Sequence, residues 1–327
     1  MSHKIVICGA GFLGQSIAHR MLTSTKSPLW RVQLLSRNPE VLQQTLKKSV
    51  SSEAAERLEP PRLADITKPN ALDTALEGAD VVVSAVGIMQ GTVADFERIQ
   101  WKGAENVALA ARAAGAKLVH ISAIGADESS SLAYARTKGL GEKAVSKICS
   151  DATIIRPSIM FGPGDGFFGR FATLSKFLPF MPAFGGGTSR FQPVYVGDVA
   201  RLVEIIARQE SAVASQVDGK IIEAGGPDIF TYRQIMALVL KYTGRYRPII
   251  SIPFAIGSLQ AMVLEKLPPS ILTLTRDQVE QLKLDNVVNQ SPSPADQYCD
   301  FKHMIEEYGN AKLTSVHEIL PKYLPEI

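Results

Sequence analysis

Tyr134 and Lys138 form a Y-x-x-x-K pattern inside Leu132 to Ser146, a stretch of helical period. The i,i+4 spacing puts both side chains on one helix face. That adjacency has a chemical use: an ammonium beside a phenol favours the phenolate, drawing an ordinary pKa of about 10 toward the working range and making Tyr134 a competent general acid or base. Just upstream, Ser122 closes the β-branched run KLVHIS, where its hydroxyl can polarise a carbonyl. Alone, the pattern also suits an exposed helix pair, so its weight depends on its surroundings.

The decisive surroundings are Gly9, Gly11 and Gly14, a G-x-G-x-x-G that directly follows the run KIVIC and opens a helical segment from Phe12 to Leu22. In that setting the first glycine permits a tight turn, the second admits a pyrophosphate to the backbone, and the third lets helix pack on strand. Gly9, Gly11, Phe12, Leu13 and Gly14 are candidate dinucleotide contacts, with the N–H groups of the helix start turned to the anion. A nicotinamide supplying hydride would unite the other residues: Ser122 polarises the carbonyl, Tyr134 exchanges its proton, and Lys138 reaches the ribose.

The second strand ends in Leu35-Ser36-Arg37. An NAD site commonly places an acid here for the ribose 2′-OH, whereas Ser36 and Arg37 suit a 2′-phosphate, so NADP(H) is expected over NAD(H). A solvated surface charge is the alternative role for Arg37. Asp65 and Ile66 follow the third strand and Ser84, Ala85, Val86 and Gly87 end the fourth, where such a sheet meets adenine and ribose. Asp65 also suits a helix N-cap ahead of Asn70.

The elements that must position these groups are an alternation of strands and helices. Apolar runs recur at KIVIC, RVQLL, DVVVSAV, KLVHIS and ATIIRP, separated by helical segments such as Asp95 to Ala114, where Phe96, Ile99, Val107, Leu109 and Ala110 form a stripe and Gly115 a stop. Runs without polar alternation are parallel strands covered on both faces, which predicts an α/β fold: a Rossmann doubly wound parallel sheet. Residues 1–157 are expected to form the NAD(P)-binding domain, with core strands extending to about 225. Residues 158–327 are expected to form a smaller C-terminal α/β substrate-binding lobe, from which 192–225 return to the Rossmann core.

Composition narrows the function classes. At 46% apolar, 20% charged and net charge +3, the chain can bury a sizeable core and has no basic run suited to nucleic acid. Cys8, Cys149 and Cys299 are too few and too irregular for a disulfide framework, and the five histidines show no metal-ligand spacing, so no metal is expected. No G-x-S-x-G elbow or Walker A loop is present. Residues 1–39 lack acids, as transit peptides do, but the same residues spell strand, turn, helix and strand, so they are not expected to be cleaved. The uncharged stretch Pro248 to Leu264 is interrupted by Pro253 and Gly257, so no transmembrane span is expected. It reads as core and pocket wall, or as an apolar surface for a membrane or lipid-like ligand.

The segments VICGAGFLG, ADI, SAVG, HISAIGA, YARTKGLGEKAV, IIRPSIMFGPGD and QPVYVGDVA resemble the extended and atypical short-chain dehydrogenase/reductase family across nearly the whole chain. The stretch from YARTKGLGEKAV to FQPVYVGDVARLVEII is similar to a branch containing an NADPH-binding accessory subunit of mitochondrial complex I and a fungal relative linked to coenzyme Q biosynthesis. This resemblance implies a mitochondrial protein on the matrix side of the inner membrane. It places Arg156, Pro157, Phe161-Gly162-Pro163 and Asp198 around the nicotinamide and helix caps. Two readings result: an NADPH-dependent oxidoreductase acting on a small apolar, quinone-related substrate, favoured by Ser122, Tyr134 and Lys138 and the apolar stretch, or a non-catalytic nucleotide-bound subunit of a multiprotein complex, which the resemblance implies. Family members often carry G-x-x-G-x-x-G, from which the shorter motif here departs.

Overall fold

A computed structural model of the chain describes residues 3–26, 28–257, 259 and 275–327. The apolar runs become strands β1 (His3–Cys8), β2 (Trp30–Ser36), β3 (Arg62–Leu63), β4 (Val81–Ser84), β5 (Lys117–Ile121), β6 (Thr153–Pro157) and β7 (Ile221–Ala224). They make one sheet in the order β3-β2-β1-β4-β5-β6-β7, with every pairing parallel. This is a Rossmann-type α/β fold. Parallel pairing brings the carboxyl ends of all these strands to one edge, and the order reverses between β1 and β4, which opens a crevice there.

Helix α1 (Phe12–Thr23) follows β1. The expected helix Asp95 to Ala114 is continuous from Val93 but changes pitch, with wide π-type turns over Glu97–Lys102 before α2 (Gly103–Ala113). Phe96, Ile99, Val107 and Ala110 are buried as a stripe, and Gly115 ends the run in the left-handed region (φ 68°). Leu109 leaves the stripe and is exposed. Two residues turn a helix about 200°, so Val107 and Leu109 cannot share a face. Helix α3 (Ala133–Ile148) carries Tyr134 and Lys138.

The chain divides into two compact units. The first comprises Met1–Pro157, Val196–Ala224 and Asn289–Lys312. The last of these stretches falls within the residues expected in the smaller lobe. It joins the sheet through Tyr298, which bridges to Ile221 and accepts a hydrogen bond from Arg156 Nη1 at 3.2 Å, contacts with no local sequence signal. The second unit comprises Ser158–Tyr195, Gly225–Val288 and Leu313–Ile327. Its described residues include three short strand pairs and a core of Phe161, Phe168, Phe191, Tyr232, Met236 and Leu320. No helix among the described residues is long and apolar enough to cross a membrane.

Within the first unit, α1 is tied to α4 (Val196–Ala207) by one buried carboxylate. Glu204 accepts from Arg20 Nε (2.5 Å), Ser24 Oγ (2.5 Å) and Arg208 Nη2 (2.8 Å). Burial pushes its carboxyl up, but these donors outweigh that and hold it below the usual range. Removing one member of such a network strands the others. Glu204→Ala is expected to destabilise the protein by about 3 kcal/mol in urea titrations, with Glu204→Gln costing less; a loss under about 1 kcal/mol would show that the pairing adds little.

Candidate active site

The glycine turn works by close approach. A Cβ on Gly14 would lie 1.9 Å from the Gly9 carbonyl oxygen, so only glycine lets the first turn of α1 sit on β1, whereas a Cβ on Gly11 would meet nothing within 4 Å. The N-cap Gly11 offers no capping side chain and the first turn holds no acid. Because Gln15 N–H makes the first bond back, to Gly11 O (2.9 Å), the N–H groups of Phe12, Leu13 and Gly14 are left without a helical carbonyl partner. An anion over Gly11 meets open backbone and the positive end of α1.

A cavity of about 280 Å³ adjoins this turn. Its walls are Gly9 to Gly11, Leu35 to Asn38 after β2, Ala64 to Ile66 after β3, Ala85 to Ile88 after β4, and Arg98 with Ile99 from the π-type turn. It gathers Gly9, Gly11, Ser36, Arg37, Asp65, Ile66, Ala85, Val86 and Gly87, while Ser84 is buried at the end of β4. Asp65 does not cap a helix: it accepts from Thr67 N–H (2.9 Å), and Lys68 precedes the short helix at Pro69–Ala71. Burial pushes the Asp65 carboxyl up, but the Thr67 bonds and the positive charges of Arg37 and Arg98 bring it below the usual range. The cavity thus has a cationic rim from two arginines, suited to a phosphorylated nucleotide.

Lys138 approaches from α3. Its buried Nζ donates to the Ile121 carbonyl at 3.1 Å, and a Cβ on Gly87 would lie 3.4 Å from that Nζ and 3.7 Å from Gln100 Oε1. Gln100 Nε2 donates to Thr137 Oγ1 (3.1 Å), whose own hydroxyl donates to Ala133 O (2.8 Å), so the Gln100 carbonyl oxygen is the free end. Among the described residues, buried polar atoms without a hydrogen-bond partner include Gln100 Oε1, Ser122 Oγ and both ring nitrogens of His120. Such orphans are costly unless a bound group satisfies them. Burial holds His120 neutral, with a pKa of about 3, and the Lys138 charge adds to the effect. Pro157, outside the cavity wall, accepts from Ile124 N–H (3.1 Å) and so fixes the chain just beyond Ser122.

One expectation is reversed. The Tyr134 phenol is not lowered: burial pushes it up to about 12, because apolar surroundings that include Phe96, edge-on with ring centroids 6.1 Å apart, penalise the phenolate. Burial also takes Lys138 down to about 8, against an opposing pull from Glu142. Near neutral pH the phenol is a proton donor and the lysine an ammonium held at a carbonyl.

Sequence reading passed over Arg98 and Gln100. Gln100 had a signal: it is the one polar residue in the series Phe96, Gln100, Ala104, each four apart and all buried. Arg98 had none, since only the fold brings it opposite Arg37.

Residues 5–225 match the model of a family described as NAD dependent epimerase/dehydratase. Among curated proteins, the chain is 30% identical over 241 residues to the mitochondrial NADH dehydrogenase [ubiquinone] 1 alpha subcomplex subunit 9 of Arabidopsis thaliana, covering 71% of this chain and 59% of the relative. It is 32% identical over 194 residues to the ceramide reductase of Caulobacter vibrioides, covering 58% of each. The chain thus spans under two thirds of the length of these relatives. A solved dTDP-glucose 4,6-dehydratase from Streptomyces venezuelae superposes with a TM-score of 0.69 at 18% identity, covering 98% of this chain and 95% of that one, which supports the fold.

The lysine makes stability depend on pH. Lys138 titrates at about 8 in the folded chain against an ordinary 10.5, so between those values the unfolded chain binds more protons and stability rises with pH. The ammonium's burial penalty is full below pH 8 and gone above 10.5. Relative to Lys138→Met, the native protein is expected to gain up to about 3 kcal/mol between pH 7 and pH 10.5 in paired urea melts. A difference that stays constant with pH would mean the ammonium is solvated.

Proposed function

The chain belongs to the NAD dependent epimerase/dehydratase family, and from that premise we propose that it is an NADP(H)-dependent oxidoreductase acting on a carbonyl or alcohol group of a small apolar, quinone-related substrate. The observation that carries this reading is the placement of Lys138: buried, four residues beyond Tyr134 on one helix, its ammonium on the Ile121 carbonyl beside the cavity-lining Gly87.

In this reading Gly9, Gly11, Phe12, Leu13 and Gly14 hold the pyrophosphate, Ser36 and Arg37 the 2′-phosphate, and Asp65, Ile66 and Ser84 to Gly87 the adenine and riboses, with Pro157 bordering the nicotinamide. When bound, the nicotinamide supplies or accepts hydride. The protein's part is proton control and orientation. Ser122, its hydroxyl unpartnered, donates to the substrate oxygen; Tyr134, kept neutral by burial, gives that oxygen its proton as reduction proceeds; Lys138 orients a ribose hydroxyl and stabilises the phenolate that results. Glu142 beside Lys138 keeps the ammonium charged nearer neutral pH.

The names of the relatives bear on setting. The Arabidopsis relative is named as a mitochondrial subunit of a ubiquinone-linked dehydrogenase, and the Caulobacter relative as a reductase of a lipid. The Arabidopsis name supports a mitochondrial location, and in this reading the protein works on the matrix side of the inner membrane. The first also favours a second reading, in which the chain is a nucleotide-bound structural or assembly subunit of a respiratory or coenzyme Q biosynthetic complex and turns nothing over.

Two measurements separate these readings. Calorimetry is expected to give tighter binding of NADPH than NADH, with Arg37→Glu costing NADPH at least tenfold and NADH little, and Arg98→Ala costing NADPH about tenfold through a lost charge-assisted contact; equal binding of the two nucleotides would remove the NADP preference. With quinone analogues as substrates, Tyr134→Phe is expected to lower turnover at least 100-fold while leaving nucleotide affinity nearly unchanged. Nucleotide binding with no turnover by either protein would favour the subunit reading.

A further inference from the structure

Two stretches of the sequence, lying almost wholly in the second unit, carry charge of one sign. From Gly166 to Gly197, and again from Ile229 to Leu264, the sequence contains no Asp or Glu but seven Lys or Arg residues. Arg190 is neutralised by Asp285 at 2.7 Å. Arg245 and Arg247 are not: Arg245 Nη1 donates to the Ala172 carbonyl (2.8 Å) and the Ser175 hydroxyl (3.1 Å), and Arg247 donates through Nε to the Leu178 carbonyl (2.9 Å) and through Nη1 to the Tyr246 carbonyl (2.8 Å). Among the described residues neither guanidinium has a carboxylate within ion-pair distance. Among the described residues, neutral acceptors hold both in place without neutralising their charge.

The same bonds join two exposed apolar ridges. Met181 N–H donates to Pro248 O (2.9 Å), and strand Ile249–Ile252 pairs with Met181–Phe184, Ile250 opposite Pro182. The segment leading into this strand and the strand's middle are open to solvent: Tyr246 is 91% exposed, Pro248 is exposed and Ile250 is 44% exposed. Helix Phe168–Phe177 ends beside them with exposed Lys176 and with Phe177 at 74% exposure. The stretch Pro248 to Leu264, expected mainly as core and pocket wall, instead exposes Ile250, Ile256 and Leu259; Ser258 and 260–264 lie outside the described residues.

We propose that this face docks on the surface of an anionic lipid bilayer, with Phe177, Tyr246 and Ile250 entering the headgroup boundary while Lys176, Arg245 and Arg247 meet lipid phosphates. Aromatic and aliphatic side chains interleaved with cations and free of acids are the composition an anionic membrane surface selects. Tyrosine suits such a boundary because its ring is apolar and its hydroxyl is not. A soluble protein partner would instead select a rim of mixed charge. The proposal stands apart from the nucleotide reading, since every residue it uses belongs to the second unit.

The test is co-sedimentation of the full chain with vesicles of phosphatidylcholine alone or mixed with phosphatidylserine. Binding is expected only with phosphatidylserine present and should weaken as salt is raised. Phe177→Asp and Tyr246→Asp should each lower the bound fraction at least tenfold while leaving the melting temperature and nucleotide affinity unchanged, because both sites are exposed. Arg247→Gln should weaken binding to phosphatidylserine vesicles and flatten the salt dependence. Absence of binding to phosphatidylserine vesicles, or binding unmoved by the two aspartates, overturns the proposal. So does a defined complex with a soluble protein that the same aspartates abolish, in a chain that ignores vesicles.

Discussion

Two parallel hydrogen bonds join the Arg156 guanidinium at the end of β6 to the Glu142 carboxylate on α3, Nε to Oε1 at 2.9 Å and Nη2 to Oε2 at 2.7 Å. Both side chains are nearly dry, and the remaining guanidinium edge reaches Glu223 on β7 and Tyr298. The pair sets the rotation of α3 about its own axis. Tyr134, Lys138 and Glu142 are spaced by four, so a helix pinned at Glu142 presents the other two along the same face. The approach to the neighbouring helical turn is equally restricted: a Cβ on Gly141 would lie 2.5 Å from the Gln100 carbonyl oxygen. A buried ion pair of this kind adds little net stability over an apolar substitute. What it fixes is geometry, and the geometry here is that of the chemical groups.

Once α3 is seated so closely, dehydration governs the electrostatics. The same exclusion of water raises the phenol of Tyr134 and lowers the ammonium of Lys138, two groups whose charged forms are both penalised by burial. As built, the resting state is a neutral acid and a marginal cation, which suits proton delivery to a forming alkoxide. The ionised Asp65 at the opposite end of the crevice has solvent, local hydrogen bonds and two arginines in its favour. One crevice therefore contains a polar, cation-rimmed end and a dehydrated end.

Much of this arrangement was legible in the sequence because it depends on local rules. G-x-G-x-x-G after KIVIC, the i,i+4 pair Tyr134 and Lys138, the strand-ending Ser122 and the left-handed stop at Gly115 each need only a few consecutive residues to be understood. The part that was not legible depends on distant partners. The phase shift at Glu97–Lys102 leaves no compositional trace, and the direction of the Tyr134 shift needed the burial that only packing decides. Arg98 meets Asp65 and Arg37 across two crossovers, and the return of 289–312 to the sheet rests on Tyr298 reaching Ile221 and Arg156.

The division of the chain has a consequence for biosynthesis. The first unit is assembled from three separated stretches, with the second unit's segments threaded between them, so β6 is made well before its neighbour β7 and before Tyr298 exists. As the polypeptide leaves the ribosome, the outer edge of β6 stays unpaired until β7 is made, and the far side of Arg156 until Tyr298 is made. An uncovered parallel edge is a template for unwanted pairing, and contacts between distant residues form slowly. The period between synthesis of β6 and completion of the last stretch is therefore when the edge of the sheet is most open to mispairing.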